Sequence, residues 1–227
     1  MATAPIVLPS TDPRVPSLLA DGWVVVAESW GARLRLRSDA DLDPARAALA
    51  RAVAAGVVVE ELTGDDVPDE VAALEALTHP DYPQTPATPH TLLGADDVAA
   101  LVRDGVRFFG ARAAHGGGSG ARPDGPGAED ARWTSSAPRP VPALTAVTGV
   151  RREGERAETE FTSVHPDHRR DGLATAVKAA SVLALAAEGV RVLGTGGAQV
   201  NAASVRMNER LGYVLEERWL TLAEAAD

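Results

Sequence analysis

The sequence predicts an α/β chain with a mixed central sheet flanked by helices. Three observations predict it. Short β-prone runs alternate along the chain with segments of helical periodicity. One such run, Glu160 to Val164, enters a basic, glycine-containing turn that opens into an Ala/Leu-rich helix reaching about Glu188. A second helical stretch begins after Asn201 and stops at Leu211-Gly212, and a further strand starts at Tyr213.

The elements follow in order. Residues 1–20 are Pro-rich and read as loosely ordered. Gly22 to Arg37 alternates well enough for one long strand or a hairpin. Its first part, Gly22-Trp23-Val24-Val25-Val26-Ala27-Glu28-Ser29-Trp30, is echoed by Gly212-Tyr213-Val214-Leu215-Glu216-Glu217-Arg218-Trp219 with one residue inserted. Asp41 to Ala54 predicts a helix with Pro44 early in it. Val57 to Leu62 predicts a short buried strand, and Asp65 and Asp66 predict the cap of a helix through about Leu77. His79 to His90 carries Pro80, Pro83, Pro86 and Pro89 and predicts a loop. Leu92 to Asp104 predicts an amphipathic helix and Val106 to Ala113 a strand. Residues 114–142 are rich in Gly, Pro, Ser and Ala and predict a mobile insertion that buries no core. The Gly-rich piece inside it lacks the Lys-Ser/Thr of a phosphate loop. Ala143 to Arg151 and Arg156 to Val164 predict a hairpin around Glu153-Gly154-Glu155. Val190 to Leu193 predicts the next strand, and Tyr213 to about Leu222 the last. The chain divides into an N-terminal arm, residues 1–42, and a domain, residues 43–227, that carries the 114–142 insertion.

Composition bounds the function. The formal net charge of −10 and an aromatic content of 4% argue against a nucleic-acid surface. Cysteine is absent, which excludes disulfides and thiol catalysis and suits a reducing, cytoplasmic setting. No apolar run reaches membrane-spanning length, so no membrane partner is expected. Lys178 is the one lysine among 22 basic residues. That Arg bias, with the Ala, Gly and Pro excess, suggests a GC-rich bacterial source.

The chemistry concentrates at Val164-His165-Pro166-Asp167-His168-Arg169-Arg170-Asp171-Gly172-Leu173-Ala174-Thr175. A turn opening into a helix presents backbone N–H groups that have no intrahelical partner, at the positive end of the helix dipole. That combination suits a phosphate group. Gly172 lets backbone approach a ligand closely. The same pattern also fits a plain strand–turn–helix whose Arg/His cluster faces water.

These residues resemble motif A of the GCN5-related N-acetyltransferases, with Val164, Pro166, Arg169, Gly172, Leu173 and Ala174 at the matching places. Arg170 stands where the family has Gly, so its backbone angles must suit a residue with a Cβ. Asn201 followed by a short helix and Leu211-Gly212-Tyr213 is a second match. The pattern Thr162, Val164, His168, Arg169, Gly172, Leu173, Ala174 and Lys178 is similar to actinobacterial members related to mycothiol synthase, as are Thr195 and Asn201, with Gly197 in place of an Asn. Mycothiol synthase relatives are tandem repeats of this fold, and the 1–42 arm reads either as the remnant of a first repeat or as a strand that merely looks like another.

The resemblance implies a sheet splayed between its fourth and fifth strands, counted from Val57. It also implies an acetyl-CoA-dependent N-acetyltransferase acting on a small primary amine by direct attack, working as a monomer or homodimer. The coenzyme A residues it implies are Thr162, Ser163, Val164, Arg169, Arg170, Asp171, Gly172, Leu173, Ala174, Thr175, Asn201 and Ser204, with an oxyanion donor at the N–H of Ser163 or Val164. Glu158 and Glu160 alternate on the fourth strand and are the two candidate carboxylate bases; His165 and His168 are other candidates, with His168 read first as packing beside the pyrophosphate turn. The family's general-acid tyrosine falls at Asn208, which can hydrogen-bond but cannot act as an acid. Water, another group or weak catalysis are the alternatives. The acceptor pocket is expected from residues 65–115.

Overall fold

A computed structural model describes residues 4–113 and 143–225, so the expected insertion at 114–142 lies outside the described residues. The strands are β1 (Ile6–Pro9), β2 (Trp23–Arg35), β3 (Val57–Leu62), β4 (Val106–Ala113), β5 (Leu144–Glu153), β6 (Arg156–Val164), β7 (Val192–Ala198) and β8 (Val214–Glu224). They form one sheet in the order β1-β8-β2-β7-β6-β5-β4-β3. All neighbours are antiparallel except β6 and β7, which run parallel. The helices are α1 (Val15–Ala20), α2 (Asp43–Ala54), α3 (Val67–Thr78), α4 (Ala95–Arg103), α5 (Leu173–Ala187) and α6 (Ala202–Arg210).

Strand alternation sorts the core into two layers. On β4, Phe109 and Ala111 face α2 and α5, where they meet Ala45, Leu173, Val177 and Val182. Val106 and Phe108 face the other way, towards Val67, Val71 and Leu74 of α3 and Val98 of α4. Helices therefore cover both faces of the sheet.

The chain's opening differs from expectation. Residues 4–20 hold β1 and α1, because Leu8 and Val15 bury against Leu220 and Leu222 of β8. The prolines do not oppose this. Pro9 ends its strand on the sheet edge and Pro16 sits in the first turn of α1, where no helical N–H is lost. The two echoing segments are neighbours: β2 and β8 pair antiparallel, from Trp23 opposite Glu224 to Arg33 opposite Val214. Trp30 is sealed in the core at 2% exposure, and its indole N–H donates to the Ala198 carbonyl at 3.2 Å.

The strand expected at Val190 to Leu193 is displaced and longer, Val192–Ala198. Gly194-Thr195-Gly196-Gly197 does not read as strand, since glycine contributes no packing surface. Close neighbours explain the glycines. A Cβ at Gly196 would come 2.9 Å from the Trp30 carbonyl oxygen, and one at Gly197 would come 3.2 Å from the Trp30 ring. The Gly at position 197 thus follows from Trp30. Asp66, expected as a cap, has helical angles, and its side chain caps nothing.

One interior residue is unusual. Lys178 on α5 is 1% exposed, donates to Thr195 Oγ1 at 2.8 Å and stands 4.8 Å from the centre of the Tyr213 ring. Burial lowers its pKa from 10.5 to about 7, and the charge on Glu158 pulls it partly back up. Between about pH 7 and 10 the unfolded chain therefore carries a proton that the folded chain has lost. Stability rises with pH across that window, by at most about 1.4 kcal/mol per pH unit. Urea denaturation over this range should show the rise in the native protein, and Lys178→Met should flatten it.

Candidate active site

The site grows from the place where β6 and β7 part. They share three rungs only, Arg156 with Val192, Ala157 with Leu193, and Glu158 with Gly194. Beyond Gly194, β7 stays paired with β2 as far as Ala198 opposite Ser29. β6 stays with β5 as far as Val164 opposite Ala146. A gap opens between them, as expected for the fourth and fifth strands. A bulge contributes on the β6 side. Gly149 pairs with Phe161 and Val150 with Thr159, leaving Glu160 as the extra residue. The bulge also reverses the faces. Ala157 packs in the α5 layer while Phe161, four residues on, packs in the α3 layer.

Register decides which backbone groups face the gap. His165 N–H donates to the Thr145 carbonyl at 2.9 Å. Alternate residues repeat that pattern in an antiparallel pair. Ser163 therefore turns its backbone to β5, while Thr162 and Val164 turn their N–H and C=O into the gap.

The motif turn closes the same end. Pro166–His168 form one 3-10 turn, Arg169 is extended, and Arg170 and Gly172 both take left-handed angles, at φ 74° and 81°. The first hydrogen bond of α5 runs from Ala176 N–H to the Gly172 carbonyl, so the N–H groups of Leu173, Ala174 and Thr175 have no acceptor within the helix. The Arg169 guanidinium holds Asp81 at 2.6 Å. Across the gap, Asn201 Oδ1 caps α6 by accepting from Ser204 N–H at 3.1 Å.

A cleft of about 670 Å³ joins these parts. Every residue predicted for the cofactor lines it except Asp171: Thr162, Ser163, Val164, Arg169, Arg170, Gly172, Leu173, Ala174, Thr175, Asn201 and Ser204. Arg206 and Arg210 of α6 add two more cations, so four arginines face one cleft in a chain of net charge −10. Such a concentration of one sign focuses the field on an anionic ligand.

The predicted catalytic residues stand apart from that lining. Glu158 sits on the last shared rung with its carboxylate over Gly194, where no side chain would fit, and it lies 3.7 Å from Arg33. Glu160 is on the bulge and pairs with Arg151 at 2.7 Å. Asn208 is fully buried in α6, where its Nδ2 donates to the Ser204 carbonyl at 2.9 Å and its Oδ1 has no partner.

The facing wall comes from α3 and the loop after it, inside the 65–115 stretch expected to form the acceptor pocket, though none of its residues stood out in the sequence. Thr78, Asp81, Tyr82 and Pro83 complete the cleft. Behind Tyr82 lies Glu75, a carboxylate with 0% exposure, hydrogen-bonded by Ser163 Oγ and by His90 Nε2 at 2.7 Å. Burial, and next to it the Glu75 charge, push the Tyr82 phenol pKa up. In sequence Glu75 looks like a helix-surface charge. The one signal for it was the proline-rich loop facing the expected acceptor region.

No protein-family model and no curated protein sequence matches the chain. Solved structures do. A GCN5-related N-acetyltransferase from Sphaerobacter thermophilus superposes at TM-score 0.63 and 10% identity, over 97% of this chain and 60% of that one. A GNAT-family acetyltransferase from Colwellia psychrerythraea gives 0.58 and 12%, over 97% and 65%. A tandem GNAT protein from the clavulanic acid biosynthesis pathway gives 0.57 and 21%, over 99% and 64%. The chain spans less than two thirds of each. At these identities the likeness is one of fold: the chain has the GCN5-related N-acetyltransferase fold.

Arg170 is the one described non-glycine residue with positive φ. A left-handed residue with a Cβ costs about 1–2 kcal/mol, offset in part by the smaller backbone entropy it loses on folding. Arg170→Gly should therefore raise stability by about 0.5–1 kcal/mol in urea denaturation.

Proposed function

We propose that the chain is a GCN5-related N-acetyltransferase that uses acetyl-CoA to acetylate a primary amine of a small molecule, by direct attack in a ternary complex. The observation that carries this reading is the single cleft in which the parted strands, the motif turn and four arginines meet. When bound, acetyl-CoA supplies an activated acetyl thioester. The chain's own groups fit such a molecule at both ends. The free N–H groups from Leu173 to Thr175, with Arg169 and Arg170, suit its pyrophosphate. The outward backbone of Thr162 and Val164 suits an extended amide-bearing arm lying in the gap as an added strand. Of the two candidate oxyanion donors, Val164 N–H is the one turned into the gap, where it can polarise a carbonyl.

Glu158 is the better placed of the two candidate carboxylate bases, because it stands where the gap begins, whereas Glu160 is held by Arg151. Glu158 would take the proton from the amine through water. The N-terminal strand β2 holds Arg33 against Glu158 and so belongs to this arrangement. The similarity to members related to mycothiol synthase rests on the pattern Thr162 to Lys178 and on Thr195, whose hydroxyl receives Lys178.

A second reading has one observation in its favour. Asn208, at the place of the family's tyrosine, is buried and hydrogen-bonded within its own helix. An acyl-CoA-binding protein without turnover would look the same there.

Calorimetric titration should show CoA and acetyl-CoA binding, weakened about 10-fold or more in Arg169→Ala through loss of a charge-assisted contact. Thiol release over a panel of primary amines should fall about 100-fold in Glu158→Gln and change little in Glu160→Gln. Binding without release by the native protein on any amine would favour the second reading, and no binding would end both.

A further inference from the structure

Breaking a thioester with an amine leaves a thiolate that needs a proton. Among the described residues lining the cleft, Tyr82 and His168 are the two with a phenol or imidazole to give one. His168 lies on the motif turn, 4.0 Å from Asp171. Tyr82 lies at the gap. Its hydroxyl donates to the Thr162 carbonyl at 3.1 Å and stands 3.1 Å from Ser163 Oγ. That Thr162 carbonyl is one of the backbone groups turned away from β5, so the phenol stands where β6 has lost its partner.

A polar line runs from this phenol to solvent. Ser163 Oγ donates to one oxygen of Glu75, and the other oxygen meets His90 Nε2 at 2.7 Å. Glu75 is sealed, whereas the His90 side chain keeps 17% of its exposure. The His90 ring stacks on Tyr82 with centres 3.7 Å apart and planes 11° from parallel. A carboxylate buried beside Val71 and Leu74 costs several kcal/mol unless it is fully paired. Its two hydrogen bonds supply that pairing and also join the phenol side of the cleft to a partly exposed imidazole.

We propose that Tyr82 is the proton donor to the sulfur leaving the acetyl thioester, and that Ser163, Glu75 and His90 form the line that reprotonates it. The proposal rests on the acetyl-CoA reading above. As the C–N bond forms and the C–S bond breaks, Tyr82 gives its phenol proton to the sulfur. His90 passes a proton to Glu75, and Glu75 gives it to Ser163 Oγ as the Ser163 hydroxyl turns its own proton from Glu75 to the phenolate, so no serine alkoxide forms. His90 is replenished from solvent, into which the amine's surplus proton goes, so the count closes. The raised phenol pKa keeps Tyr82 protonated in the resting site. The titratable groups facing this line are Glu75 from α3 and His79 and His90 from the loop, with Asp81 tied to Arg169; β6 offers Phe161, Thr162 and Ser163 and no charge. Tyr82 would thus do from the cleft wall what Asn208, buried within α6 behind the lining, cannot.

The test is the ionisation of bound CoA, followed by the ultraviolet absorbance of the thiolate, in the native protein and in Tyr82→Phe. A donor aimed at the sulfur stabilises the thiolate, so the bound thiol should ionise about one pH unit higher in Tyr82→Phe, and CoA affinity should fall about tenfold only above the pH at which the thiol ionises. Identical thiol titrations with intact CoA binding would overturn the role of Tyr82 and leave the acetyl-CoA reading standing. Failure of the native protein to bind CoA would remove both. His90→Gln should keep the native thiol titration, lower thiol release with an amine about tenfold, and recover on addition of imidazole. Unaltered release in His90→Gln would break the line.

Discussion

The structure depends on one constraint: β7 is claimed by β2 along its whole length and by β6 for only three residues. A strand pairing fully on both sides would leave a closed sheet and no gap. Here the glycines of β7 let Trp30 and the β2 backbone press close, which fixes β7 to the N-terminal half of the sheet. On the other side, β6 carries a bulge at Glu160, which bends a strand, and stays paired with β5 as far as Val164. The two strands are drawn apart by their outer partners. The exposed backbone of Thr162 and Val164, the start of α5 and the cap of α6 gather around the opening.

Electrostatics follows the same division. The chain is acidic overall, yet the cleft collects Arg169, Arg170, Arg206 and Arg210 from the turn and from α6. Carboxylates lie beneath and behind it, Glu158 on the last shared rung and Glu75 within the α3 layer. Cations thus face the cleft, and carboxylates lie behind its lining. Asp81, bound to Arg169, sits next in sequence to Tyr82.

Much of this was legible in the sequence because it rests on local rules. A β-prone run, a Gly-containing turn and an Ala/Leu-rich helix encode the strand–turn–helix from β6 to α5, and Asn201 and Gly212 mark the two ends of α6. What escaped depends on partners remote in the chain. Leu8 and Val15 order the first residues only because β8 offers Leu220 and Leu222. The glycine run of β7 is strand only because Trp30 needs the space. Glu75 becomes a buried acid only because Ser163 and His90, 88 and 15 residues away, supply its hydrogen bonds. The alternation that put Glu158 and Glu160 on equal footing is broken by a bulge that no periodicity announces.

If the parted strands and the motif turn form one coenzyme site, CoA must protect the amides of both. Amide hydrogen exchange with and without CoA should show slowed exchange confined to Thr162 and Val164 and to the amides from Arg169 to Thr175. Protection that spared this turn, or that appeared instead along β8 or the first residues of the chain, would contradict it.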